Sequence, residues 1–78
     1  MNKKYYNYVL DNMIEDLHYK IEEESREIED TATLYEYHTE NDNVDLKKYE
    51  IESINEARQK MFVYHLLICD LEELRKEV

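Results

Sequence analysis

Neither glycine nor proline occurs in the 78 residues of this chain. A small α/β or all-β domain normally needs several of both, at turns that demand a positive or a fixed φ. A chain without them is best served by long helices and very few connections. Its length fits a single domain spanning residues 1–78. Chains this short bury only about 60–65% of their unfolded surface, so they rely on a metal, a disulfide or a second copy. One cysteine, Cys69, excludes an intramolecular disulfide and fits a reducing compartment.

Apolar spacing agrees with long helices. Leu10, Ile14, Leu17, Ile21, Ile28 and Tyr35 recur at steps of three or four, interrupted at Glu24 and Thr31. Ile54, Ala57, Met61, Tyr64, Ile68, Leu71 and Val78 repeat the pattern, interrupted at Arg75. Thr39, Glu40, Asn41, Asp42 and Asn43 are turn formers and candidate N-caps. The spacing predicts an all-α hairpin: one helix over 4–38, a turn near 39–43 and a second helix over 44–77. The competing expectation is a β-hairpin at 31–51 between two shorter helices. Thr31 to Thr39 is rich in β-formers, but a turn of that kind would favour glycine. An antiparallel turn centred near 41–42 sets Ile14 near Cys69, Leu17 near Leu66, Ile21 near Phe62, Ile28 near Asn55 and His18 opposite His65.

Nine of the eleven residues from Met61 to Leu71 are apolar. A helix packed on one neighbour needs a single apolar stripe, and this one has three. Met61, Tyr64, Ile68 and Leu71 form the first. Phe62, Leu66 and Cys69 form the second, and Val63, Leu67 and Leu74 the third. One hairpin cannot cover all of them, which predicts a homodimeric four-helix bundle with Phe62, Leu66 and Cys69 at the interface. A docking face for another protein is the alternative. The same run is far below the ~20 apolar residues of a membrane span. With no secretory signal at Met1–Tyr6, a cytoplasmic location is expected.

Charge is distributed unevenly. Residues 11–45 hold thirteen acids and two bases, and the rest of the chain holds seven acids and eight bases. The whole net charge of −10 therefore sits in one segment. Direct nucleic-acid binding is disfavoured, because phosphate contacts need clustered Lys and Arg. Glu15, Glu22, Glu29 and Glu36 recur every seven residues, and Asp16, Glu23 and Asp30 follow three of them. With Ile14, Ile21 and Ile28 facing inward, these acids share the outer face of the first helix. The i, i+4 cations that would soften that face are few, namely Lys20 after Asp16 and Arg26 after Glu22.

Several spacings bear on chemistry. Glu15 and His18 form an ExxH pair, which resembles the two-helix encapsulated-ferritin arrangement. That resemblance implies a di-iron site, but the facing segment offers His65, Cys69 and Asp70 rather than a matching carboxylate set. His18, His65 and Cys69 are a candidate zinc set, weighed against a histidine pair beside a core thiol. Glu23, Glu24 and Glu27 read EExxE, and Asp42 and Asp45 read DxxD. Together they resemble the magnesium pattern of MazG-type nucleotide pyrophosphohydrolases, whose second element is ExxD on a helix. The expectation is nonetheless a protein that is not an enzyme and holds no metal or cofactor. Ser25 and Ser53 lie among charged residues, and there is no glycine-rich phosphate loop.

In size, charge and simplicity the chain resembles small acidic phage or mobile-element proteins of the anti-CRISPR and anti-restriction kind. That resemblance implies an inhibitor acting in the host cytoplasm. Its expected partner is a basic nucleic-acid-binding protein, such as a defence nuclease. Glu15, Asp16, Glu22, Glu23, Glu29, Asp30 and Glu36 would be the contact surface. The second expectation is a helical assembly or regulatory module whose acidic face is merely solvated.

Overall fold

The computed structural model describes residues 2–41 and 44–77. Helix α1 runs Lys3–Glu40 and helix α2 runs Val44–Glu77. They pack along their length into an antiparallel hairpin 59 Å long and 13–14 Å across. The long dimension matches a straight 38-residue helix at 1.5 Å per residue. The competing alternative, a β-hairpin at 31–51, is not formed: α1 continues through Thr31–Thr39, and no strand occurs among the described residues. Two threonines of that segment are accommodated inside the helix. The Thr33 and Thr39 hydroxyls donate to the carbonyls of Glu29 (3.1 Å) and Tyr35 (2.9 Å) one turn back. Asp42 and Asn43, part of the expected turn, lie outside the described residues.

Both ends of α1 are capped without glycine. Asn2 (φ −69°, ψ 125°) is the N-cap, and its Oδ1 accepts from the Lys4 amide at 2.8 Å. That cap offsets an unfavourable first turn, which contains Lys3 and Lys4 and no acid to complement the helix dipole. At the other end Asn41 adopts φ −96°, ψ 7°, a conformation open to any residue. Its amide and its side-chain Nδ2 both donate to the Tyr37 carbonyl, at 3.2 and 2.8 Å. The C-cap is thus satisfied by asparagine in a right-handed conformation.

One seam joins the helices. Leu10, Ile14, Leu17, Ile21, Glu24, Ile28, Thr31, Tyr35 and His38 of α1 are at least half-buried. They meet Glu50, Ile54, Ala57, Met61, Tyr64, Ile68 and Leu71 of α2. The positions that interrupt the apolar pattern thus remain in the seam. The core is thin, the buried apolar residues among those described being Leu10, Ala57 and Ile68.

The expected facing pairs are corrected. Leu17 lies in a groove with Leu67 and Leu71, and Ile14 lies beside Glu72 and Arg75. Cys69, Leu66 and Phe62 stand at roughly the anticipated levels along the rod but are exposed. The turn position sets the level at which residues pass one another, whereas azimuth around the helix decides which of them touch. His18 and His65 are likewise exposed.

Contacts between polar and charged side chains mark three levels of the hairpin. Near the turn, His38 Nδ1 abuts Glu50 Oε1, with both side chains largely buried. The contact lacks hydrogen-bond alignment, and Glu50 Oε2 has no hydrogen-bond partner among the described residues. Midway, Lys60 reaches the half-buried Glu24 at 3.9 Å. At the open end Arg75 forks onto Asp11, Nε to Oδ1 at 2.6 Å and Nη2 to Oδ2 at 3.3 Å. Arg75 interrupts the apolar seam of α2 but closes the rod with a bidentate clasp.

Candidate protein-binding surfaces

Two surfaces stand out, and they lie on opposite helices. The first is the outer face of α1. Glu15, Asp16, Glu22, Glu23, Glu29, Asp30 and Glu36 are all exposed there. Successive pairs are separated by about 10.5 Å and the row extends for about 32 Å. Their placement follows from the seam: with Ile14, Ile21 and Ile28 turned to α2, residues one and two positions later must face away.

Little compensates this charge. Arg26 approaches Glu22 at 3.9 Å, but both side chains are about two-thirds exposed, so the pair contributes little. The second expected cation, Lys20, forms no ion pair among the described residues. The cations of α2 that cross to α1, Lys47, Lys60 and Arg75, go to the Tyr35 ring, Glu24 and Asp11 beside the seam. None of the three reaches the outer row. A shallow depression lies at one end of the row, where Glu15 and Asp16 adjoin Val9, Met13 and Tyr19.

The second surface is the far side of α2. The stripe Met61, Tyr64, Ile68 and Leu71 is consumed by the seam, while the other two stripes face solvent. Phe62 is 64% exposed and Leu66 50%, and Val63, Leu67, Cys69 and Leu74 are exposed around them. Met13 of α1 extends this apolar area through the groove it shares with Leu67 and Leu71.

The metal and nucleotide spacings do not assemble into sites. No group of three or more His, Cys, Asp or Glu side chains is placed to hold a metal among the described residues. His18, His65 and Cys69 are exposed, and Glu15 of the ExxH pair belongs to the outer row. In EExxE, Glu24 turns into the seam toward Lys60 while Glu23 and Glu27 face outward. The motif is therefore split between two faces. Asp42 of DxxD lies outside the described residues. Among those residues no helix is long and apolar enough to cross a membrane.

The buried His38–Glu50 pair was not anticipated from the sequence, although its signal was present. His38 continues the α1 seam three residues beyond Tyr35, and Glu50 continues the α2 seam four residues before Ile54. Extending both repeats to the turn regardless of polarity places the two side chains together. No family model, curated protein or solved structure matches the chain.

Proposed function

We propose that this protein is a non-enzymatic inhibitor whose acidic α1 face occupies the basic channel of a nucleic-acid-binding protein. The observation that carries this reading is the row from Glu15 to Glu36. Seven carboxylates are held on one face of a straight helix, and a single exposed cation, Arg26, approaches them. Their density, about one charge per 4.5 Å, approaches the 3.4 Å per phosphate along one DNA strand. Lys and Arg that neutralise phosphates would be offered carboxylates instead, and the target would release its own counterions in the same way. The exposed ring of Tyr19 beside Glu15 and Asp16 suits an arginine stacked on its face.

The natural target class is a defence nuclease met in the cytoplasm of a host cell, with the protein encoded by a phage or mobile element. The test is capture of such a target from lysate at 50 and 300 mM salt, followed by competition with duplex DNA. Glu22→Gln, Glu23→Gln, Glu29→Gln and Asp30→Asn combined should abolish capture. Retention of the target by that quadruple variant at unchanged affinity, or indifference to salt and DNA, would refute the reading. A helical assembly module is the second reading, and the exposed apolar side of α2 is the observation that favours it.

A further inference from the structure

The apolar far side of α2 points to one occupant, a second copy of the same chain. We propose that two hairpins pair through Phe62, Val63, Leu66, Leu67, Cys69 and Leu74, giving a layered dimer in the order α1–α2–α2′–α1′. Three observations carry this, and none depends on the acidic row having a target.

The first is area. The hairpin exposes 6356 Å². A compact protein of 9.7 kDa exposes about 5,100 Å². The excess, about 1,200 Å², is at the scale that a specific protein interface removes from water. Within one hairpin, among the described residues, no side chain is completely buried and the buried apolar core is three residues. Meanwhile Phe62, Val63, Leu66 and Leu67 are each at least 44% exposed. The patch runs about 18 Å along α2, from Phe62 to Leu74, and is wider than the scattered apolar residues of ordinary surfaces.

The second is charge. Helix α1 carries eleven acids and four bases, whereas α2 carries eight acids and six bases. A strongly anionic chain can meet its own copy only where its field is weakest. That place is α2, with the acidic rows turned outward on opposite sides of the pair.

The third is azimuth. The centre of the patch, Phe62, Val63 and Leu66, faces away from the seam, and Leu67 alone of the patch reaches the seam's edge at the groove with Leu17 and Leu71, so a partner centred on the patch lies across α2 from α1. In a square four-helix bundle the two contact faces of each helix would be adjacent. Because the patch can cover itself around a two-fold axis, the assembly closes at two copies.

The test is sedimentation equilibrium between 1 and 100 μM, paired with two independent readouts. The expected species is a dimer, and Phe62→Glu with Leu66→Glu should weaken it at least about a hundredfold. Helix content should be unchanged, because both side chains lie outside the seam. In the unmodified protein, maleimide labelling of Cys69 should slow as concentration rises. Spin labels at Glu22→Cys, in a Cys69→Ser background, lie at the level of the patch but on the outer layers. They should be separated by more than about 30 Å, since three interhelical spacings of 8–10 Å intervene. A monomer at 100 μM would overturn the proposal. So would a dimer indifferent to the double substitution, Cys69 labelling independent of concentration, or label separations below about 20 Å. If the double variant fails to fold, the labelling and distance measurements decide alone.

Discussion

Between Leu10 and Ile21 every seam position of α1 is apolar, whereas between Glu24 and His38 three of the five seam positions are polar. The open half of the rod is thus held by Leu10, Ile14, Leu17 and Ile21 against Met61, Tyr64, Ile68 and Leu71. The half nearer the turn interleaves Ile28, Tyr35, Ile54 and Ala57 with Glu24, Thr31, His38 and Glu50. The open half also carries the exposed surplus of Phe62, Val63, Leu66 and Leu67. One half therefore has more apolar surface than its seam can use, and the other has less. An all-apolar two-helix seam tolerates slippage by a heptad. A buried pair such as His38–Glu50 does not, because slipping strands a carboxylate away from its partner. The contrast assigns adhesion to the open half and alignment to the half nearer the turn.

The comparison breaks most visibly at one seam site in each half. Ile68→Ala should cost about 3 kcal/mol in denaturant unfolding, for lost burial and the cavity left in the apolar seam. A loss under about 1 kcal/mol would mean that the open half is not where the hairpin is held. His38→Ala should cost a comparable amount, because it leaves a gap in the seam and removes the polar side chain that faces the buried Glu50. The two losses separate on double substitution. His38→Leu with Glu50→Leu should regain stability relative to His38→Ala, and can exceed the parent by about 1 kcal/mol or more. The alignment role then predicts heterogeneous pairing in that variant, visible as doubled or broadened amide resonances near the turn. A single sharp set would show that apolar packing alone fixes the alignment.

Smaller effects refine the picture at the surface. Arg75→Ala should cost under about 1 kcal/mol, since the clasp on Asp11 is half exposed. Its loss should appear first as faster hydrogen exchange at the open end. Neutralising Glu22, Glu23, Glu29 and Asp30 together should raise the melting temperature slightly. The like-charge pair Glu23–Glu27 is relieved by a few tenths of a kcal/mol, the exposed pairs lost from Arg26 contribute little, and the lower charge density of the row adds to the gain. A fall in melting temperature would show that those carboxylates make stabilising contacts.

The fold was legible because the chain is locally consistent. The absence of glycine and proline, the three-four spacing from Leu10 to Tyr35 and the same spacing from Ile54 to Leu71 all name one hairpin. Helix α2 occupies the expected span, and α1 exceeds its expected limits by one residue at the start and two at the end. The β-prone run at Thr31–Thr39 misled because propensity is weaker than a seam: Thr31, Tyr35 and His38 fall on the side that α2 covers. Which acids face outward was equally legible, since heptad position fixes azimuth. The partners of Arg75 and His38 were not, because a polar pair across a hairpin depends on levels that shift with each residue in the turn. Sequence spacing also paired Ile14 with Cys69 and Ile21 with Phe62 by level alone, without the azimuth that turns Cys69 and Phe62 to solvent.

A rod with a single seam has a property that rounder domains lack: its length is a free variable. Each seven-residue block of α1 touches only its counterpart on α2 and the blocks above and below. Adding one block to each helix at the same level would leave every existing contact in place and lengthen the row of carboxylates by about 10.5 Å. Removing one would shorten it by the same step. The hairpin is in this sense a ruler graduated in heptads, whose span can be matched to the footprint of whatever it measures without redesigning its interior.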